Sequence, residues 1–351
     1  MGPITCICVK RNVACLNEAK TGCNNRITPL AIVQKRKENA VKNSGLISPL
    51  TTAVVYSKAP AVGACRRNSP RNVIPSHGKN RYSLSGTVED TRNPKFPVGS
   101  RVVSHKGWCD YCIIDTNKQG AMAVDRVYKL PNLKNLSPSH GVGAVGMPGA
   151  TAYFGFLEIC KPVAGETVVV TGAAGAVGSI VGQIAKIKGC KVIGIAGSDD
   201  KVKWLEEELG FDKALNYKTM DIGAALKEAA PNGVDCYFDN VGGEISSTII
   251  NQMNNFGRVS VCGSISAYND DQLPKATVLQ VAIITKQLKI EGFVVYQWIN
   301  QWPEAFNELT NWIITGKLKV REHVTEGFDK IYDAFVGMLA GENVGKAVVK
   351  I

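Results

Sequence analysis

The sequence predicts an α/β protein, a doubly wound parallel sheet joined to a smaller β-barrel domain. Three observations carry this. From residue 148 onward, apolar β-branched runs alternate with segments of helical spacing. One of those runs leads straight into a GxxGxxG turn and then a helix. Between residues 82 and 115, short strand-like runs are broken by turns at intervals of about ten residues, as in small barrels.

Composition sets the frame. A chain of 351 residues is long enough for two domains, and 45% hydrophobic with 20% charged residues is ordinary globular usage. There is no apolar stretch long enough to span a membrane and no apolar run typical of a secretory signal. The net charge of +11 is uneven: residues 1–80 hold 13 basic side chains against Glu18 and Glu38, while residues 81–351 hold 28 of each sign. A neutral body argues against nucleic acid as the main partner. Eleven cysteines in this length, an odd count, point to reduced thiols in a cytoplasmic setting rather than a disulfide scaffold.

Residues 1–80 show neither a 3.6 nor a 2.0 period. They read as a poorly ordered basic leader or, being nearly free of acids, as a transit peptide, which would make the location mitochondrial. Residues 81–147 are the barrel portion, with strands expected over 83–89, 101–103 and 108–115. Residues 148–315 form the parallel domain. A helix over 149–160 leads to a wholly apolar strand, 167–171. Helices over 176–188, 199–209, 222–230 and 244–253 then alternate with strands over 191–196, 214–216, 234–238 and 257–262, before a strand over 288–293 and a helix over 302–315. Residues 316–351 return to the first domain through a strand over 345–351.

The turn Gly172-Ala173-Ala174-Gly175-Ala176-Val177-Gly178 is the strongest motif. Glycines let backbone amides approach a pyrophosphate, and the helix start adds its positive end. A bare strand-to-helix turn is the plainer reading, but strand, turn, helix and a second strand about 20 residues on are the pattern of a dinucleotide site. The second strand ends at Ala196-Gly197-Ser198 without an acid for the ribose hydroxyls. Asp199 and Asp200 suit the next helix start, and Lys201 suits a 2′-phosphate, so NADPH is preferred over NADH. The plainer reading of Lys201 is a solvated helix lysine.

The segments GMPGATAYFG (146–155), GETVVVTGAAGAVGS (165–179), AGSDDK (196–201), NYKT (216–219), VDCYFDNVGGE (234–244), CGSISAY (262–268), EGFVVYQW (291–298) and NVGKAVV (343–349) together resemble the prostaglandin reductases of leukotriene B4 12-hydroxydehydrogenase type, in the zinc-free branch of the medium-chain dehydrogenase/reductase superfamily. The resemblance covers residues 83–351. It implies a Rossmann domain beside a GroES-like barrel, a homodimer, NADPH as cofactor, and reduction of the conjugated C=C of enones and enals such as 15-oxo-prostaglandins. It places cofactor contacts at Gly172, Gly175, Ala176, Val177, Gly178, Lys201, Tyr217, Asn240, Cys262, Gly263, Tyr268, Phe293, Val294, Val295 and Asn343. Tyr296 is the implied hydroxyl that stabilises the enolate, and Tyr268 a second choice for the proton; a plain core aromatic is the alternative for Tyr296. No metal is expected, because Cys109 and Cys112 form a lone CxxC and His105, His140 and His323 are isolated. Nothing in residues 1–80 matches the family's opening strands or its Asp-Pro-Tyr-Met-Arg stretch, so the barrel is expected to be incomplete at its N-terminus. Two rivals stand beside enone reduction: a quinone reductase on the same fold, and a nucleotide-binding or nucleic-acid-binding protein using the basic leader.

Overall fold

A computed structural model describes residues 6–11, 54–56, 84–105, 111–116, 127–267, 277 and 279–351, with three sheets. Strands β1 (Cys6–Arg11), β3 (Leu84–Thr91), β4 (Arg101–Ser104), β5 (Tyr111–Asp115) and β6 (Val127–Lys129) form an antiparallel sheet in the order β5-β1-β3-β4-β6. Its inward residues Val88, Val102, Ile114 and Val127 are buried together. Strand β2 (Val54–Tyr56) belongs to a separate sheet with the C-terminal strands. The segment read as a patternless leader therefore contributes two strands. Both are short, and a run of three to six residues carries too few repeats for a period to stand out. The rest of residues 1–83 lies outside the described part, as do residues 106–110, which hold Cys109 and the start of the strand expected over 108–115.

Helix α1 (Met147–Leu157) precedes the parallel sheet, whose order is β12-β11-β10-β7-β8-β9. The strands are β7 (Thr167–Thr171), β8 (Lys191–Ala196), β9 (Lys213–Asn216), β10 (Val234–Asp239), β11 (Met253–Val261) and β12 (Lys289–Gly292). Every residue of β7 is buried. Val168 and Val170 enter one core with α1, α2 (Gly178–Ile187) and α7 (Trp302–Ile314). Val169 enters the opposite core with α4 (Ile222–Ala229) and α5 (Gly243–Ile250). Covering both faces is what makes an unbroken β-branched run stable as a parallel strand. Between β7 and β10 the chain order reverses, which opens a crevice at the C-terminal ends of those strands.

The helix expected over 199–209 divides. Helix α3 (Asp199–Lys203) gives way to a π-turn over Trp204–Glu208, closed by Leu209 N–H donating to Trp204 O, five residues back. Three elements had no clear sequence signal: α6 (Gln280–Thr285), β13 (Glu322–Glu326) and α8 (Ile331–Leu339). The last strand, β14 (Lys346–Lys350), pairs in parallel with β13 and β2. Its Lys346 is buried, and desolvation lowers that ammonium to about 7 against the opposing pull of Glu322. No helix among the described residues is long and apolar enough to cross a membrane.

Candidate functional site

The glycine turn lies at the crevice. Gly172 ends β7 at φ +58°, a left-handed conformation that a side chain resists. A Cβ on Gly178 would stand 2.4 Å from Gly172 O, so only glycine lets the helix start this close to the turn. No side chain caps α2 at Val177, and the first amides of a helix lack internal partners. Ala176, Val177 and Gly178 thus form a cradle suited to a pyrophosphate. The terminal segment closes one side: Gly345 N–H donates to Ala174 O at 2.8 Å, and Asn343 Nδ2 donates to Gly345 O at 2.7 Å.

From the neighbouring strand, Asn240 Nδ2 donates to Thr171 O at 2.7 Å, and its backbone N–H donates to Thr171 Oγ1 at 3.0 Å. These bonds tie the ends of β7 and β10 together. Asp239, a buried acid inside the VDCYFDNVGGE segment that was given no role of its own, organises the turn after β10. Its carboxylate accepts from Val241 N–H, Gly242 N–H and Ser246 Oγ. Its carbonyl accepts from Cys262 N–H at 2.8 Å and Gly263 N–H at 3.1 Å, laying the Cys262 loop across the crevice. The Cys262 thiol is buried, and burial with the Asp239 charge pushes it well above the ordinary thiol range. Tyr268 lies outside the described residues.

At the ends of β8 and β9 stands the set expected to select the ribose. Asp199 accepts from Asn216 Nδ2 at 2.7 Å at the start of α3, a local partner that occupies the carboxylate. Lys201 is half-buried and donates from Nζ to Gly341 O. Desolvation, then the charge of Lys218, holds its ammonium below the usual lysine range. A desolvated lysine with a second positive charge nearby is a ready anion site. Lys218 sits inside the NYKT motif, so its signal was present, but sequence cannot say which lysines meet. The Tyr217 ring is exposed and lies against Gly197, where a Cβ would come within 2.9 Å of Cε1.

Phe293 packs on Gly155, where a Cβ would meet its ring at 2.2 Å, and edge-on to Phe238. Val294 is exposed, while Val295 is buried and accepts from Trp302 Nε1 at 3.4 Å. Tyr296 is half-buried and stacks on Trp302, with centroids 5.7 Å apart and planes at 27°. The structure thus gathers the glycine turn, Asn240, Cys262, Gly263 and Asn343 around one crevice, and places Lys201 and Tyr217 at its β8–β9 end. Among the described residues no group of three or more His, Cys, Asp or Glu is placed to hold a metal ion.

Comparison with known proteins points the same way. The family model of zinc-binding dehydrogenases matches residues 176–311. Bovine (Bos taurus) prostaglandin reductase 1 is 51% identical over 265 residues, 75% of this chain and 78% of that one. The NADP(+)-dependent 2-alkenal reductase of Nicotiana tabacum is 41% identical over 271 residues, 77% and 76% of the two chains. The crystal structure of CurA from Vibrio vulnificus in complex with NADPH superposes with a TM-score of 0.74 at 30% identity, covering 98% of this chain and 89% of that one. Identity of this depth over three quarters of the chain means that it belongs to the prostaglandin reductase family of the medium-chain dehydrogenase/reductase superfamily.

Proposed function

We propose that this chain is an NADPH-dependent reductase of the conjugated C=C of α,β-unsaturated ketones and aldehydes, 15-oxo-prostaglandins and 2-alkenals among them. The observation that carries this reading is the ribose end of the crevice. A lysine pair replaces the acid an NADH site needs, and the carboxylate at the start of α3, Asp199, is engaged by Asn216. The names of the relatives, a prostaglandin reductase and an NADP(+)-dependent 2-alkenal reductase, agree with it.

The residues present fit NADPH, since no side chain caps the start of α2 and its first amides are left for an anion. Gly172 to Gly178 would hold the pyrophosphate, Lys201 and Tyr217 the 2′-phosphate, and Asn240, Cys262, Gly263, Phe293 to Val295 and Asn343 the rest. When bound, the cofactor supplies a hydride for the β-carbon of the substrate. As negative charge gathers on the carbonyl oxygen, the Tyr296 hydroxyl donates a hydrogen bond to it. One such donor is worth about 3 kcal/mol in the transition state. The α-carbon then takes a proton from solvent or from a second hydroxyl, with Tyr268 the candidate in the chain.

Residues 81–147, 148–315 and 316–351 make up the barrel portion, the parallel domain and the C-terminal return in this reading, with β1 and β2 of residues 1–80 paired into the sheets. A homodimer built on the edge of the parallel sheet, where β12 pairs on one side only among the described residues, is also part of it. Cytoplasmic location fits the free thiols at Cys160, Cys190, Cys236 and Cys262, with the mitochondrion the alternative if residues 1–80 act as a transit peptide.

The test is NADPH oxidation with a 2-alkenal or a 15-oxo-prostaglandin, set against a quinone and against NADH. Enal turnover with NADPH well above NADH is expected, falling about 100-fold in Tyr296→Phe. Turnover of quinones alone would move the chain to the rival reading, and salt-sensitive RNA binding lost on deleting residues 1–80 would support the third.

A further inference from the structure

Tyr296 sits in a segment without regular α-helical backbone. The turn Val295–Gln301 is 3-10 in character and breaks at Trp298, whose φ of −100° and ψ of 18° leave the helical region. Such turns have poorer hydrogen-bond geometry than an α-helix. Much of the ring's support comes from its aromatic neighbours.

Four aromatic rings stand in series here. Tyr296 and Trp302 stack at 5.7 Å. At the far end of Trp302 stands Tyr128, perpendicular to it at 82° with centroids 6.0 Å apart. At the near end stands His105, perpendicular to Tyr296 at 82° and 6.4 Å. The two outer rings come from a different sheet. Tyr128 lies in β6 directly opposite Val103 of β4, and His105 is the residue after that strand. Both inner rings come from the segment following β12. A stacked neighbour limits how far a ring can tilt, and a perpendicular neighbour limits how far it can slide or turn in its own plane. Ring pairs at these separations are the favoured arrangements for aromatic contacts. His105 is only 2% exposed, so it is fixed by its own packing and serves as a stop rather than a mobile partner.

We infer that His105 is a positioning residue for Tyr296: its buried ring, set at a right angle to the phenol, holds the hydroxyl at the angle that an enolate oxygen requires. This rests on the reading of Tyr296 under the proposed function and deepens it. The work is done by a planar ring at that place, not by a proton on the imidazole, and this separates the idea from a role as acid or base. Transition-state stabilisation by a hydroxyl depends on prior alignment, so a loosened phenol costs kcat while leaving cofactor binding alone.

Four variants decide it, each first shown by its melting curve to be folded. His105→Leu fills similar volume without a ring, and His105→Phe keeps a ring without nitrogens. With a 2-alkenal and saturating NADPH, H105L should lower kcat by about tenfold while the NADPH KM stays within twofold. H105F should restore most of the rate. Y296F alone should lose far more, and adding H105L to Y296F should cost nothing further, since residues acting through one group are not additive. A wild-type rate in H105L, an H105F as slow as H105L, or the same tenfold loss repeated in the Y296F background would each overturn the inference. Should Y296F itself keep the full rate, the assignment of Tyr296 falls and takes this inference with it, a result read from that single variant.

Discussion

Lys201 shows how much one side chain can decide. Its ammonium is half-desolvated, faces Lys218, and is anchored by the Gly341 carbonyl, so a doubly charged phosphate would relieve both penalties at once. A hydrogen bond to a charged group is worth about 1.5–3 kcal/mol. Lys201→Ala should therefore raise the Kd for NADPH by about 10- to 100-fold and leave the Kd for NADH unchanged, measured by quenching of protein fluorescence. Equal weakening of both cofactors would place the lysine outside the ribose site. The expectation for Lys201 was legible, because the strand before it ends without an acid. The capture of Asp199 by Asn216 and the approach of Lys218 were not. Each joins residues 17 positions apart, through the meeting of β8 and β9.

At the scale of elements, local preference and packing pull in opposite directions within α2. Gly182 lies in the middle of this helix, where alanine is favoured by about 1 kcal/mol. The Phe211 ring occupies the place of the missing side chain, since a Cβ would come within 1.9 Å of Cζ. Phe211 is buried and also packs on Gly194 of β8, so it has nowhere to retreat. Overpacking of this kind costs about 1–3 kcal/mol. Gly182→Ala should lower the thermal midpoint in a calorimetric melt despite the better helix former; a raised midpoint would show that the helix can shift. The same logic explains the elements that the sequence concealed. Strand β13 is largely exposed and lacks an apolar face, so no period marks it. The split of the 199–209 helix into α3 and a π-turn leaves its apolar spacing almost unchanged.

At the scale of the molecule, one open edge stands out. Strand β12 ends the parallel sheet; Ile290 on it is partly exposed, and Val281 and Ile284 on α6 are about 70% exposed. An open edge carrying an exposed apolar side chain invites another strand or an equivalent copy. Sedimentation should show a dimer, and the pair Ile284→Lys with Ile290→Lys should give a folded monomer with an unchanged far-ultraviolet spectrum. A dimer that survives both changes would put the interface elsewhere.

Much of this protein follows from local pattern. The buried strand, the glycine turn and the helix after it need only neighbours in sequence, because periodicity and backbone freedom are short-range properties. So the parallel sheet and its nucleotide cradle could be read directly. Contacts between distant segments could not. Gly345 against Ala174, the Asp239 carbonyl under the Cys262 loop, and His105 set across Tyr296 all arise because the sheets bring far-apart residues to one place. A linear pattern encodes which face of an element is apolar; which other face it meets is settled only when the whole chain packs.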